Sequence, residues 1–283
     1  MSKVSVGILT HNRRDKVLRC LKSVFDQGME DIEIVVVDSA STDGTQDAIQ
    51  ENYPSVKFIR LPRNCGCPGG RNHIFVNCTG DYIVNVDDDG FLGEGVLQGV
   101  LTAFDSDPTI GIIAMHQLFT DQPGEGRIAG EGRQEVSDFS GGVCAFRRSM
   151  LDKIGDYPHD FFLYAEEAYL AIRAIDAGYR IVSNPSLIIW HPRIGVSGLS
   201  AKKWDYYLFR NPLLVVLRLF PGWMMLQYLI LRAGSYALIS ARRGTFHKYI
   251  AAIISVIYQL PGTLMTRKAC KKETIQTYFR LRG

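Results

Sequence analysis

Short runs of β-branched and aliphatic residues alternate with helix-patterned stretches over the first 90 residues of the chain. Four runs have the length and composition of buried strands, at residues 4–9, 32–37, 56–61 and 82–86. Between them, helices are predicted at residues 13–25, 44–52 and 71–77. Alternating strands and helices with short connections predict an α/β fold, in which a mostly parallel sheet carries helices on both faces.

The pattern changes in the second half of the chain. Residues 117–138 are rich in Gly, Asp and Glu, which predicts a surface loop, either a solvated connection or a mobile flap over a site. A helix is predicted at residues 161–178, ending at a glycine, and a last strand at residues 187–190. Beyond residue 200, long apolar stretches interrupted by Arg and Lys predict a C-terminal helical region.

The net charge of the chain also changes near residue 200. Residues 200–283 contain 14 Lys or Arg and two acidic residues, a net charge of +12, whereas residues 1–199 carry a net charge of −9. We therefore expect two regions, 1–199 and 200–283, of which the second is basic enough to meet an anionic partner. Its basic residues accompany long aliphatic runs rather than an exposed polar patch, so nucleic-acid binding is not expected.

Composition excludes several classes of protein. With 46% hydrophobic and 11% aromatic residues, the chain is not intrinsically disordered. Its six cysteines have no regular spacing, which excludes a disulfide scaffold and favours a reducing, cytoplasmic compartment. The first apolar stretch is typical of a strand rather than of the core of a secretory signal.

Polar clusters follow each of the first four predicted strands, at residues 10–12, 38–43, 63–72 and 87–89. In open α/β sheets, ligands bind outside the carboxyl ends of parallel strands. The sequence therefore predicts a ligand site at this edge of the sheet.

Three of these clusters suggest specific chemistry. Asp87 and Asp89 flank Asp88 after a buried strand, where carboxylates two residues apart can converge on one Mg²⁺ ion, although a solvated acidic turn gives the same pattern. Asp38 directly follows a strand, a position from which an acidic group can bind a nucleobase or ribose. Arg71 follows a glycine-rich turn at a helix start, which favours a phosphate.

Two common nucleotide-binding motifs do not occur in the sequence. It contains neither a phosphate-binding loop ending in Gly-Lys-Ser/Thr nor a Gly-x-Gly-x-x-Gly fingerprint. ATPases and dinucleotide-dependent oxidoreductases therefore lose support.

The second half of the chain adds an acidic pair and a histidine. Glu166 and Glu167 lie in a mostly apolar context, where a partly buried carboxylate can serve as a general base. The alternative is that both simply charge the first turn of a helix. His191 is either a packed polar residue or a metal ligand, and the second requires that the fold bring it near Asp89.

The ordered set of motifs resembles the family 2 nucleotide-sugar glycosyltransferases. It begins with Thr-His-Asn-Arg at residues 10–13, Val-Val-Asp-x-x-Ser-Thr-Asp-Gly-Thr at 36–45 and Asn-x-Gly-x-x-Gly-x-Arg-Asn at 64–72. It continues through the three aspartates, Gly-Gly-Val-Cys-Ala-Phe at 141–146, the Glu-Glu helix and Trp-His at 190–191. The resemblance covers about residues 3–192, and Arg-Asn-Pro at 210–212 resembles the rhamnosyltransferase-type branch.

The resemblance implies an A-type glycosyltransferase fold, which is Rossmann-like, and metal-dependent transfer with inversion at the anomeric carbon. It also implies roles for ten residues. The residues that would bind the nucleotide are Thr10, Asn12, Asp38, Arg71, Asp87 and Asp88. Asp89 and His191 would bind a Mg²⁺ or Mn²⁺ ion, and Glu167 or Glu166 would remove the proton from the acceptor hydroxyl. Family members commonly have Asp where this chain has Glu167, which makes Glu167 the favoured base.

Residues 1–199 would then be the catalytic domain that binds the nucleotide sugar, and residues 200–283 would associate with an anionic membrane surface or with another subunit of a homo-oligomer. The expected location is peripheral, at the cytoplasmic face of the cell membrane. The expected acceptor is a growing cell-surface glycan or a lipid-linked glycan.

Two other functions remain open at this stage. A sugar nucleotidyltransferase shares the parallel sheet and acidic metal site, but the sequence has no convincing triphosphate loop. A catalytically degenerate protein that binds nucleotide sugars is favoured only by the departure from the family pattern at Glu167 and Tyr169.

Overall fold

The computed structural model describes residues 3–120, 132–192, 202 and 204–282. Within these residues it contains nine strands and ten helices. The strands are β1 (Val4–Thr10), β2 (Ile32–Asp38), β3 (Lys57–Arg60), β4 (Tyr82–Asp87), β5 (Phe91–Leu92), β6 (Ile110–Phe119), β7 (Gln134–Glu135), β8 (Val143–Arg147) and β9 (Arg180–His191). The first six helices are α1 (Arg14–Phe25), α2 (Thr45–Asn52), α3 (Gly66–Asn77), α4 (Val96–Ser106), α5 (Arg148–Ile154) and α6 (Glu166–Asp176).

One sheet contains all nine strands, and eight of them follow the order β3-β2-β1-β4-β8-β6-β9-β5, with β7 beside β9. The first half is parallel, since β1 pairs in parallel with β2 and β4, and β2 with β3. The second half is mixed, because β8 runs antiparallel to both of its neighbours, β4 and β6. Parallel pairing places the carboxyl ends of β1, β2 and β4 at one edge, as predicted.

Strand residues point alternately to two cores, one on each face of the sheet. In β2, Ile34 and Val36 pack with α1, whereas Val35 and Val37 pack on the opposite face with α3. A strand buried on both faces needs a nearly continuous apolar run, which is why β1, β2 and β4 could be predicted from the sequence. The α/β fold class is therefore confirmed.

Several boundaries differ from those predicted. The helix predicted at residues 71–77 begins at Gly66, since its glycine-rich first turn is helical rather than a separate loop. The helix predicted from residue 161 begins only at Glu166, because Tyr164 and Ala165 have left-handed backbone conformations with φ near 70°. The last strand is 12 residues long instead of four.

The predicted surface loop at residues 117–138 is only partly a loop. Strand β6 continues to Phe119, and β7 pairs antiparallel with β9 at residues 134–135. Residues 121–131, the middle of the predicted loop, lie outside the described residues.

The C-terminal region is helical, as predicted, and consists of α7 (Asp205–Leu219), α8 (Gly222–Arg243), α9 (Phe246–Thr266) and α10 (Lys272–Arg280). It shares a core with the sheet domain: Leu214 and Leu217 of α7 and Ile275 of α10 belong to the same apolar cluster as Leu170 and Ile172 of α6. The C-terminal helices therefore support α6, the helix that begins with the glutamate pair.

Candidate active site

Asp87, Asp89 and His191 meet at the carboxyl edge of the sheet. One donor atom from each lies within 4.8 Å of the others. His191 Nε2 lies 3.0 Å from Asp89 Oδ1 and 3.9 Å from Asp87 Oδ2. The fold thus brings His191 to Asp89 across about 100 residues of chain, because β5 pairs with β9 next to the turn that carries the aspartates. Two carboxylates and an imidazole fit a divalent cation such as Mn²⁺.

Electrostatics favour the charged form of Asp89. Burial alone would raise its pKa, but the hydrogen bond from His191 and the charge of Arg13 outweigh burial and lower the pKa to about 2. The same hydrogen bond raises the pKa of His191 above its ordinary value. Asp89 is therefore ionised at neutral pH, as a metal ligand must be.

Two cations at the start of α1 that were not predicted as site residues, Arg13 just before the helix and Lys16 in its first turn, hold the aspartates in place. Arg13 donates to Asp88 Oδ1 at 2.8 Å and to Asp89 Oδ2 at 3.2 Å, and Lys16 Nζ lies 3.2 Å from Asp89 Oδ2. Thr10 donates its hydroxyl proton to Asp88 Oδ2 at 2.9 Å. Asp88 is thus buried and bonded within the protein, and burial raises its pKa. Thr10 and Arg13 occupy both of its carboxylate oxygens, and its role in nucleotide binding stays a prediction.

The loop before β8, which contains Gly141 and Gly142, packs against Asp87. The Asp87 amide donates to the Gly142 carbonyl at 2.9 Å, and the Gly141 amide donates to Glu167 Oε1 at 3.3 Å. A Cβ atom on Gly142 would occupy the space of the Asp87 carboxylate. Glycine is needed here because the loop passes directly beside the carboxylate of Asp87.

We predict that Gly142→Ala weakens Mn²⁺ binding by about tenfold to 100-fold, because the added methyl group displaces Asp87. Isothermal titration with Mn²⁺ measures this effect. Gly234→Ala is the matched control, since Gly234 is a helical glycine with open space around its Cβ position. An unchanged affinity in Gly142→Ala would show that Asp87 is not a ligand.

Arg71 links the acidic cluster to the glutamate pair. Its side chain is 8% exposed, and it lies 3.0 Å from Asp87 Oδ1 and 3.8 Å from Glu167 Oε1. Glu167 is the more exposed glutamate of the pair, with 29% of its side chain accessible. A buried cation placed between two partly accessible carboxylates fixes the position of both.

Glu166 differs sharply from its neighbour. It is 2% exposed, and its Oε2 atom has no hydrogen-bond partner. Burial, reinforced by the nearby charge of Glu167, raises the pKa of Glu166 to about 8. Glu166 is therefore mostly protonated at pH 7, and Glu167 is the solvent-accessible carboxylate of the pair.

This burial predicts a pH-dependent stability. Folded Glu166 holds its proton up to about pH 8, whereas the unfolded chain releases it near the ordinary value of 4.5, so its contribution is full below pH 4.5 and lost as pH rises to 8. Glu166→Gln removes this pH-dependent loss of stability, because glutamine has no carboxyl proton to release. Between pH 5 and pH 8, the free energy of unfolding of the variant should rise relative to wild type by on the order of 3 kcal/mol.

Urea unfolding at both pH values measures the difference. Glu94→Gln, a change at an exposed glutamate, is the control and should show no such trend. A parallel pH dependence in Glu166→Gln and wild type would contradict the buried, protonated state.

Asp38 and Asn12 shape the ends of β2 and β1. Asp38 is fully buried, and both of its carboxylate oxygens accept from the Ser41 amide at 3.2 Å. Asn12, whose φ is 52°, accepts from the Thr42 amide at 2.7 Å. Two adjacent loops are thereby tied together beside the acidic cluster.

The turn that precedes α6 is held by the C-terminal region. Tyr164 and Ala165 both have positive φ, a conformation that costs energy in residues other than glycine. Asn211 of α7 is fully buried and donates to the carbonyls of Leu163 and Tyr164 at 2.8 and 3.1 Å. The Arg-Asn-Pro motif therefore stabilises the turn from which the glutamate pair begins.

A cavity of about 470 Å³ opens at this edge of the sheet. Five of the residues predicted for the site line it: Thr10, Arg71, Asp87, Asp89 and His191. Asp38 and Asp88 are buried beneath it. Glu167 does not line the cavity but lies 3.8 Å from Arg71, which does. Phe162 and Trp204 add an aromatic wall, their ring centroids 5.6 Å apart. This size and lining suit a nucleotide.

Comparison with known proteins identifies related sequences. The profile of glycosyl transferase family 2 matches residues 5–155. A poly(ribitol-phosphate) beta-glucosyltransferase of Bacillus spizizenii W23 is 37% identical over 101 residues, which cover 34% of this chain and 16% of that protein. An N-acetylglucosaminyltransferase of Rhizobium sp. N33 is 29% identical over 236 residues, 72% of this chain and 51% of that protein. The chain thus matches at most about half the length of these relatives.

Solved structures share the fold. The S. aureus protein TarS 1–349 in complex with UDP-GlcNAc superposes with a TM-score of 0.67 at 19% identity, covering 88% of this chain and 79% of that one. A mannosyltransferase of Pyrobaculum calidifontis in complex with GDP-Man and Mn²⁺ gives a TM-score of 0.59 at 18% identity, covering 98% and 83%. These similarities confirm the A-type glycosyltransferase fold.

Proposed function

This chain belongs to glycosyl transferase family 2, and we propose that it transfers a sugar from a nucleoside-diphosphate sugar to an acceptor hydroxyl, with inversion at the anomeric carbon. One observation carries the proposal: the cluster of Asp87, Asp89 and His191 adjoins the Arg71–Glu167 pair around one cavity. A metal-ligand set and a carboxylate base are the two chemical functions that such a transfer needs.

The acidic cluster would hold the metal ion. Mg²⁺ prefers an all-oxygen shell, so the imidazole of His191 favours Mn²⁺ over Mg²⁺ as the ion bound. When bound, the ion neutralises the charge that develops on the departing nucleoside diphosphate. Arg13 and Lys16, at the start of α1, balance the negative charges of Asp88 and Asp89 and keep both side chains in place before the donor binds.

Glu167 would act as the general base. Its carboxylate removes the proton of the acceptor hydroxyl while the oxygen attacks the anomeric carbon from the side opposite the leaving group, which inverts the configuration in one step. Arg71 and the Gly141 amide hold Oε1 of Glu167. The protonated, buried Glu166 takes no part in the proton transfer and instead keeps a second negative charge away from the base.

The acceptor is proposed to be a cell-surface glycan or a lipid-linked glycan. The related chains include a poly(ribitol-phosphate) beta-glucosyltransferase and a GalNAc(5)-diNAcBac-PP-undecaprenol beta-1,3-glucosyltransferase of Campylobacter jejuni. We also propose a peripheral location at the cytoplasmic membrane face, supported by the basic residues of the C-terminal helices.

Calorimetric titration with UDP, GDP and dTDP, each with Mn²⁺ and with EDTA, tests the proposed donor site. We expect one nucleotide to bind with Mn²⁺ and to bind at least about tenfold more weakly with EDTA. No binding of any of the three by folded protein would contradict the proposal. Equal binding with Mn²⁺ and EDTA would contradict the metal dependence alone.

A further inference from the structure

Helix α8 carries a stripe of exposed apolar side chains. Trp223, Leu226, Ile230, Leu231 and Leu238 are each between 57% and 65% exposed. Their spacing of three, four and seven residues places them on one side of the helix. Large side chains rarely gather on a surface that faces only water, so this stripe indicates a contact that the isolated chain does not provide.

Helix α9 carries a second stripe of the same kind. Ile250, Ile254, Ile257, Tyr258 and Met265 are exposed, with Tyr258 and Met265 each 87% accessible. By length and composition, α9 is the one helix in the described part of the chain that could cross a membrane, with a mean hydropathy of 1.4 over 18 residues. We call the ten residues of the two stripes the apolar face.

The two helices that carry the apolar face have basic residues but no acidic ones. Arg242 and Lys248 lie near the turn that joins the two helices, and the exposed Lys268 lies just beyond the far end of α9. A second copy of the chain would place like charges opposite one another, whereas a bilayer with anionic headgroups matches both the apolar residues and the charge.

The opposite sides of both helices are held by the protein. Tyr236 of α8 and Ala252 of α9 pack with Phe209 and Leu213 of α7. This packing leaves only the outer sides of α8 and α9 for lipid. The helix pair is therefore built to lie along a membrane rather than to cross it.

Polar contacts also fasten α9 to the catalytic domain. Arg210 of α7 donates from Nε to Ser255 Oγ of α9 at 3.1 Å, and its NH2 group donates to Asp160 Oδ2 at 2.9 Å. Insertion of α9 across a bilayer would break the hydrogen bond between Arg210 and Ser255, whereas the contacts of Arg210 with Asp160 do not involve α9. This contact chain supports surface binding in particular.

We propose that the apolar face of α8 and α9 inserts into the headgroup region of an anionic lipid bilayer and holds the catalytic domain at the membrane. The proposal rests on the location proposed above and names the surface responsible for it. Aliphatic side chains enter the boundary between headgroups and acyl chains, while the basic residues at both ends contact lipid phosphates. A lipid-linked acceptor would then lie in the same plane as the bound enzyme.

Sedimentation of the full chain with vesicles tests this proposal. Wild type should bind vesicles that contain about 30 mol% phosphatidylglycerol and bind at least about tenfold more weakly to pure phosphatidylcholine. Ile254→Glu and Ile230→Glu should each lower binding to the anionic vesicles by about tenfold or more. Val76→Glu is the matched control, because Val76 is a 79% exposed aliphatic residue on helix α3.

Three results would overturn the proposal: no binding of wild type to anionic vesicles, an equal loss in Val76→Glu, or a lipid-free dimer that Ile254→Glu converts to monomer. The last would show that a second copy covers the face. Calorimetric titration of the same variants with nucleotide and Mn²⁺, without lipid, separates this question from the donor site. Vesicle binding without nucleotide binding would contradict the proposed function alone. Nucleotide binding without vesicle binding would contradict the proposed membrane contact alone.

Discussion

Replacing Asp89 with asparagine is expected to abolish the metal dependence of nucleotide binding and to lower the rate of sugar transfer by about 10³-fold or more. Asn has nearly the same volume as Asp, so the packing around residue 89 is retained. The change removes one of the two carboxylates of the cluster and the negative charge that His191, Arg13 and Lys16 share. Transfer kinetics with Mn²⁺ and calorimetry with and without EDTA measure both effects.

The matched control for this prediction is Asp105→Asn. Asp105 is an exposed aspartate paired with Lys3 at 2.7 Å, and its replacement should leave both measurements at the wild-type level. Thermal unfolding establishes that Asp89→Asn is folded. A folded Asp89→Asn protein with unchanged Mn²⁺-dependent binding would show that the ion binds elsewhere.

Glu167→Gln is expected to lower kcat by about 10²–10⁴-fold, because the acceptor proton then has no base. The amide oxygen of Gln can still accept from the Gly141 amide, so the loop keeps its contact. The donor should therefore bind Glu167→Gln almost as tightly as wild type. Steady-state transfer rates and calorimetric titration with the donor nucleotide separate the two quantities.

Glu166→Gln is the comparison that identifies the base. Since burial raises the pKa of Glu166 to about 8, this residue is already mostly neutral at pH 7, and replacing it should change kcat there only slightly. A larger loss in Glu166→Gln than in Glu167→Gln would reverse the assignment. Full activity in both variants would mean that neither glutamate accepts the proton.

Much of the sheet domain could be predicted because its buried strands have a clear pattern. β1, β2 and β4 are mostly apolar, each with one interior polar residue, and the clusters of polar residues begin where each strand ends. Since the strands are parallel, their ends could be placed together without knowing the packing of any side chain. The aspartates and Arg71 could be predicted to lie together for this reason, and the structure places them around one cavity.

The unpredicted features depend on contacts between distant parts of the chain. Arg13 and Lys16 look like ordinary charged residues at the start of an amphipathic helix, and only the packing of α1 brings them to Asp89. The late start of α6 has the same origin. The left-handed turn at Tyr164 and Ala165 is stabilised by Asn211, 46 residues further on, and a helical pattern contains no sign of it.

Strand β9 shows a different limit of sequence patterns. Its apolar run was recognised only at residues 187–190, because Asn184, Pro185 and Ser186 interrupt it. The structure accommodates them with a shift in register against β6 between Met115 and His116, and the strand continues to His191. The approach of His191 to Asp89 depends on this long strand. The sequence could therefore suggest His191 as a metal ligand but could not show that it lies next to Asp89.

The most direct test of the site is a crystal structure with Mn²⁺ and the nucleoside diphosphate that binds, with diffraction recorded at the manganese absorption edge. We predict an anomalous peak in contact with Asp89 and His191 and the diphosphate beside it in the cavity near Arg71. A peak bound to other residues, or an ordered nucleotide in that cavity with no manganese at the acidic cluster, would contradict the assignment.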